Sequence, residues 1–162
     1  MTYKGYDILA QRFGKDTLIY CDKTLNPYIE VSSDQIQEVC IYIRYHPELK
    51  FSFFFSLSGV DYPEKNRITL VYHLFSMKLK TLCVLKASVR RNHPELESVE
   101  SVWKTAGWFE REIHDLLGVN FIRHSNMKRL LLPDDWVGHP LRKDYKEPLL
   151  YHDMETSRDK PS

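Results

Sequence analysis

The chain has 162 residues, of which 43% are apolar, 13% aromatic and 28% charged. That is the composition of a globular domain, too rich in core-forming side chains for a disordered chain. Its 23 basic and 22 acidic residues leave a net charge of +1, so no broad field draws it to nucleic acid or anionic lipid. The longest uncharged runs, Phe51–Val60 and Ile68–Met77, reach about half the length of a membrane-spanning helix. The opening residues lack the apolar core of a secretory signal and the arginine bias of a transit peptide. Cys21, Cys40 and Cys83 are odd in number and far apart, which points to a reducing compartment and not to a disulfide framework.

Taken in chain order, Asp7–Phe13 is a candidate helix. Leu18–Cys21 and Tyr28–Val31 read as strands around the turn Leu25-Asn26-Pro27. Ser32 with Gln35 three positions on predicts a capping box. The helix it opens carries Ile36, Val39, Cys40 and Ile43 on one face and stops before Pro47. Three strands follow, Lys50–Ser58, Arg67–Ser76 and Thr81–Val89, with turns at Gly59–Asn66 and Met77–Lys80. Such short connections favour an antiparallel meander. In the middle strand Ile68, Leu70, Tyr72 and Leu74 alternate with Thr69, Val71, His73 and Phe75. Both sets are rather apolar, so this strand is expected at the centre of the sheet, covered on both sides, one cover being a candidate partner.

A long helix is expected from Glu97 to Leu117, ending at Gly118 as a left-handed cap. Val102, Ala106, Phe109, Ile113, Leu116 and Leu117 fall within about 60° of one axis. A break near Gly107 is the alternative, since glycine costs about 1 kcal/mol there relative to alanine. Beyond Val119 the periodicity fades and prolines recur, as in an extended tail that lies against its own domain or another subunit.

The densest polar cluster is Glu110-Arg111-Glu112-Ile113-His114-Asp115. On a helix Glu110 and Glu112 flank the apolar stripe by about 80° on either side, and Arg111 points away. One reading is a solvated face with Glu110–His114 and Arg111–Asp115 pairs four residues apart. A sharper one has the boundary carboxylates met by arginines from elsewhere, with Arg129 and Arg142 as candidates. Acid–base catalysis by Glu110 or Glu112 would need a cleft and a perturbed pKa that sequence does not show.

The seven histidines form no metal-ligand spacing, and no paired cysteines or nucleophile signature accompany them. Ser76–Pro94 carries Lys78, Lys80, Lys86, Arg90 and Arg91 without a carboxylate. Beside Phe51, Phe53, Phe54 and Phe55 this admits an RNA-stacking sheet. The glycine–aromatic signature is missing, and a basic edge strand, or one that meets an acidic partner, accounts for it better. In Gly138-His139-Pro140-Leu141-Arg142-Lys143-Asp144-Tyr145 a stiff turn projects Leu141 as an apolar anchor ringed by charge, suited to a shaped groove. The plainer reading is a surface loop.

Trp108-Phe109-Glu110-Arg111-Glu112-Ile113-His114-Asp115-Leu116-Leu117-Gly118-Val119-Asn120-Phe121 resembles the signature of the thirty-kilodalton subunit (the C subunit) of NADH:quinone oxidoreductase, respiratory complex I. So do His124-Ser125-Asn126-Met127-Lys128-Arg129-Leu130-Leu131, the stretch Gly138–Tyr145, and, upstream, Val60-Asp61-Tyr62-Pro63 and Val71-Tyr72-His73-Leu74. The resemblance spans roughly residues 50 to 146. One departure is Ser125, where the family pattern has proline.

The resemblance implies an α+β fold: a mostly antiparallel sheet of three to five strands packed with helices, then an extended irregular tail. It divides the chain into a core over 1–122 and a docking segment over 123–162. It implies a structural, non-catalytic subunit, inactive alone, that clamps the large quinone-site subunit and meets neighbouring iron–sulfur subunits of a proton-pumping complex. No cofactor is implied in this chain; FMN and iron–sulfur clusters belong to the partners. No nucleic acid and no transmembrane segment of its own are implied, and the placement is peripheral, on the cytoplasmic side of the cell membrane. The motif positions carried over are Glu110, Arg111, Glu112, Asp115, Gly118, His124, Arg129, Gly138, His139, Pro140, Leu141, Arg142, Lys143 and Asp144. The same signature also resembles the equivalent subunit of membrane-bound [NiFe] hydrogenases and of dehydrogenases with other electron donors.

Overall fold

The computed structural model describes residues 4–156. Its elements in order are α1 (Lys4–Phe13), β1 (Leu18–Cys21), β2 (Tyr28–Val31), α2 (Ile36–Tyr45), β3 (Phe53–Tyr62), β4 (Arg67–Ser76), β5 (Thr81–Arg90), β6 (Glu95–Glu97), α3 (Ala106–Leu117), β7 (Asn120–Ile122), β8 (Leu150–Tyr151) and β9 (Met154–Glu155). The fold is α+β with a mostly antiparallel sheet, as expected. No described helix is long and apolar enough to cross a membrane.

Five strands form the main sheet in the order β1-β2-β5-β4-β3. The β3–β4–β5 meander is antiparallel throughout. The sheet grows beyond it because β5 also pairs with β2, in parallel, Ile29 facing Leu85 and Val31 facing Ala87. β5 is therefore an interior strand, which corrects the expectation that the basic stretch forms a sheet edge. The edges are β1 and β3.

Strand alternation places Ile68, Leu70, Tyr72 and Leu74 of β4 on the inner face, all fully buried. Cys83, Leu85, Ala87 and Val89 of β5 lie beside them, and α2 supplies Ile36, Val39, Cys40 and Ile43. The outer set Val71, His73 and Phe75 is half-exposed, so among the described residues β4 is covered fully on one face only.

Several boundaries depart from expectation for identifiable reasons. β3 continues through Tyr62, where a turn was expected from Gly59. Gly59 serves in the strand as a gap: a Cβ there would lie 2.3 Å from Leu117 Cδ1, so its absence lets α3 approach the sheet. The reversal comes later, through Pro63–Lys65 and Asn66 in the left-handed region at φ 46°. The predicted capping box does not form. Ser32 Oγ turns to the Asp34 carboxylate, and the backbone enters α2 through a 3₁₀ turn at Ser33–Gln35.

The long helix expected from Glu97 begins only at Ala106. Glu95–Glu97 pairs in parallel with Asn120–Ile122 instead, and Ser98 N–H donates to the Ile122 carbonyl at 2.9 Å. Consecutive turns then carry the chain into α3, with Val102 and Trp103 N–H both bonded to the Val99 carbonyl at 2.9 Å. Val102 is buried, so the helical spacing in the sequence reported burial correctly but not conformation.

Candidate functional site

The motif residues gather around α3. Its C-terminus exposes four backbone carbonyls that no helical turn can satisfy. Here all four are met. Gly118 N–H, in the left-handed conformation at φ 73°, takes His114 O at 2.9 Å. His139 Nδ1 donates to Asp115 O at 2.9 Å, Leu141 N–H to Leu116 O at 3.0 Å, and Arg142 Nε to Leu117 O at 2.8 Å. The His-Pro-Leu-Arg segment is thus the cap of α3 from 21 residues downstream of Gly118, and the Arg142 charge suits the negative end of the helix dipole. The cap also demands glycine at 118, because a Cβ would stand 2.4 Å from His139 Nε2. Burial holds the His139 imidazole below its usual pKa, consistent with a neutral ring that donates from Nδ1.

The intervening strap is held by the helix surface. Asp115, buried, accepts the N–H groups of Leu130, Leu131 and Leu132 on Oδ2 at 3.1, 2.8 and 2.9 Å. Arg129 Nη1 lies 3.4 Å from Asp115 Oδ1 and its Nη2 donates to Trp136 O. Burial raises the Asp115 pKa, but the three amides and then Arg129 outweigh it, and the carboxyl sits below its ordinary value. Arg111 stacks 5.2 Å over Trp108 and donates to the carbonyls of Lys128 and Arg129, both at 2.9 Å.

These contacts revise the expected pairing. Off the apolar stripe, Arg111 turns to the strap, and neither four-apart pair forms: Arg111 serves carbonyls, and His114 Nδ1 bonds Val119 O at 2.9 Å. Arg129 meets Asp115, not a boundary glutamate, and Arg142 meets a carbonyl. The reason is distance along the strap. Orphan carbonyls at the helix end fix residues 139–142 there, which leaves Arg142 at the last turn instead of beside Glu112.

Glu110 does not border the core; it is inside it, with no exposed surface. Its Oε1 accepts Val99 N–H at 2.7 Å and its Oε2 the Ser98 hydroxyl at 2.6 Å. Burial pushes its pKa up against those two hydrogen bonds. His124 stands 3.9 Å from it, donating from Nε2 to Gly107 O at 3.1 Å while Nδ1 accepts Asn126 N–H at 3.0 Å. These partners fix the orientation of the ring. The neighbouring Glu100 accepts both the N–H and the hydroxyl of Ser125, which hold its pKa down at about 2. Ser125 therefore contributes two hydrogen bonds, neither of which a proline could donate.

Past the cap, Lys143 N–H donates to Asp61 Oδ2 at 2.8 Å. Asp61, buried at the end of β3, also takes Arg91 Nε at 2.7 Å and Nη2 at 3.1 Å. The far side of the guanidinium meets Asp144. Burial raises the Asp61 pKa, but Arg91 and the Lys143 amide more than offset it. Sequence reasoning missed this Asp61–Arg91–Asp144 clasp. Its available signals were that Asp61 interrupts an otherwise uncharged strand and that Asp61 and Asp144 both lie in the motif stretches.

The motif residues thus divide. Glu110, Arg111, Asp115, Gly118, His124, Arg129, Gly138, His139, Arg142 and Asp144 are engaged within the chain; Gly138, at φ 87°, packs against Tyr145. Glu112, Leu141 and the Lys143 side chain face outward. Leu141, 55% exposed, and Glu112 line an open groove of about 290 Å³ with Phe109, Leu116 and the edge strand at Ser56–Gly59. Glu112 makes no hydrogen bond or ion pair among the described residues. This wall has no acid–base dyad. Nor do any three His, Cys, Asp or Glu side chains group as metal ligands among the described residues.

A family model described as "Respiratory-chain NADH dehydrogenase, 30 Kd subunit" matches residues 29–149. The chain is 38% identical over 153 residues to the C subunit of NADH-quinone oxidoreductase from Chlorobium phaeobacteroides, covering 93% of this chain and 92% of that protein. It is 44% identical over 117 residues to the C subunit of F(420)H(2) dehydrogenase from Methanosarcina mazei, covering 72% and 73%. Among solved structures it superposes on a chain of the membrane-bound sulfane sulfur reductase, an archaeal respiratory membrane complex, with TM-score 0.70 and 26% identity over 89% of this chain and 86% of that one. With the match running from β2 through the helix cap and the strap, the chain belongs to the family of the 30-kDa subunit of respiratory-chain NADH dehydrogenase.

Proposed function

We propose that this chain is the C subunit of a proton-pumping NADH:quinone oxidoreductase. In this reading it catalyses nothing itself and clamps the large quinone-site subunit, with FMN and iron–sulfur clusters held by other subunits. It sits peripherally on the cytoplasmic side of the membrane. The observation that carries the reading is the split within the motif. Ten of its positions are engaged within the chain, and two outward ones, Glu112 and Leu141, share one groove without an internal use for their side chains. An apolar anchor beside an unpaired carboxylate is suited to holding a partner segment that carries a basic residue. The strap over residues 123–145 supplies a rigid wall for it, and a groove with Glu112 as its one ionisable lining group fits docking better than turnover.

The test is co-purification of Glu112→Lys and Leu141→Ala variants with the large subunit, beside the melting temperature of the free chain. Recovery should fall by about tenfold or more, about 1.4 kcal/mol in binding, with melting unchanged within a degree or two. Unchanged recovery would overturn the assignment. Arg142 is the poorer probe, since removing it also uncaps α3.

A second reading is that the parent complex takes electrons from a donor other than NADH, with the same scaffold role. The 44% identity to a subunit of an F(420)H(2) dehydrogenase supports it. Purifying the complex and assaying quinone reduction with NADH against reduced deazaflavin separates the two.

A further inference from the structure

The outer face of the sheet, opposite α3, carries an apolar row that the strap and the helices leave open. Phe53 of β3, Phe75 of β4 and Leu82 of β5 are register neighbours across three strands. With Phe55 and Met77 they line a cavity of about 400 Å³ to which no other residue type contributes. Phe55 is 62% exposed, Met77 68% and Leu82 56%. Beside it, and sharing Met77, a second open cavity is lined by Arg44, Lys50 and Lys78 together with Tyr45 and Ser52; Lys80 follows in the same turn. No carboxylate lines either cavity. These four cations make no ion pair among the described residues, although Arg44 lies over the Tyr45 and Trp103 rings and Lys78 Nζ donates to Pro47 O at 2.6 Å.

We propose that this face, with the β4–β5 end of the sheet beside it, is a second docking surface, which binds an apolar, acidic segment of a neighbouring subunit: apolar side chains on the Phe53–Phe75–Leu82 row and carboxylates against Lys50, Lys78 and Lys80 at that end. Charge decides the occupant. A second copy packed about a two-fold axis would bring the same cations towards one another, at a repulsive cost. A planar lipid surface would fill neither cavity, whereas side chains of a protein segment can enter both. Exposed contiguous aromatic and aliphatic surface of this kind marks an interaction site more often than a solvent face. The inference rests on the reading that the chain works inside a multisubunit complex, and it adds where on this chain a second neighbour docks and with what chemistry.

The test uses the assembled complex. p-Benzoylphenylalanine in place of Phe55 is photoactivated there and the cross-linked peptide is sequenced. A product on another subunit, at a segment apolar and net acidic, is expected. The paired variants Phe55→Ser/Leu82→Ser and Lys78→Glu/Lys80→Glu should each lower the incorporated fraction at least tenfold while the free chain melts as before. A cross-link to a second copy overturns the proposal in favour of self-association. So does binding of the free chain to phosphatidylserine vesicles that Lys78→Glu/Lys80→Glu abolishes, in favour of a membrane. Full incorporation of both paired variants without any cross-link shows a free surface and also overturns it. Failure of the broader reading looks different: the Glu112→Lys chain would then be recovered with the large subunit as well as the parent.

Discussion

Removing the Asp115 carboxylate should detach the strap from α3. Oδ2 accepts three backbone N–H groups at 3.1, 2.8 and 2.9 Å, and a hydrogen bond to a charged group contributes about 1.5–3 kcal/mol. Simple addition would exceed 4 kcal/mol, but Leu130 to Leu132 lie near the surface, where water replaces part of the loss. We expect Asp115→Ala to cost about 3 kcal/mol and Asp115→Asn about 1 kcal/mol, because the amide oxygen still accepts while its NH₂ faces Arg129. For a chain of this size 3 kcal/mol lowers the melting temperature by about 6–12 °C. Urea unfolding of the free chain gives the global figure, and hydrogen exchange at Leu130, Leu131 and Leu132 reports local detachment. Acid supplies a second check. The folded-state pKa of Asp115 is lowered, so its contribution is complete above the unfolded value near 3.9 and is lost as pH falls through the lower folded one. The gap between parent and Asp115→Asn should therefore close from about pH 5 downward. A loss under about 0.5 kcal/mol for Asp115→Ala, with those three amides exchanging as in the parent, would refute the reasoning.

Glu110→Gln should be tolerated, since Gln Oε1 can still take Val99 N–H and its NH₂ can donate to the Ser98 hydroxyl, whereas Glu110→Ala should lose about 3 kcal/mol. The Glu110 pKa is raised by burial, so the parent loses stability relative to Glu110→Gln as pH rises from about 4 towards the folded value; urea midpoints at pH 4 and 7 test this sign. Gly118→Ala combines a left-handed residue, about 1–2 kcal/mol, with a collision against His139. Thermal melting should show a loss of at least that size, and a neutral result would mean the His139 cap is not formed in solution. Arg91→Ala leaves Asp61 buried with only the Lys143 amide, at a cost of about 3 kcal/mol; Arg91→Lys should recover less than half, because an ammonium cannot reproduce the forked contact. Equal stability of Arg91→Lys and parent in urea would count against the clasp.

The sequence by itself determined the strands of the meander, the apolar face of α2, the Gly118 cap and the family, since alternation, helical spacing and a long linear motif are local quantities. Burial of Val102 was legible too, but its conformation was not, because strand pairing to β7 displaced the helix that spacing favoured. Tertiary structure alone decided the parallel β2–β5 pairing, the partners of Glu110, the His139 cap, and the use of Arg129 and Arg142 at the end of α3 and not on its boundary glutamates. Each of these depends on groups well beyond a helical turn or a tight hairpin in sequence, competing for a buried donor or a free carbonyl. One-dimensional spacing along α3 can show where a charge sits on the helix, but not which remote backbone atoms will need it.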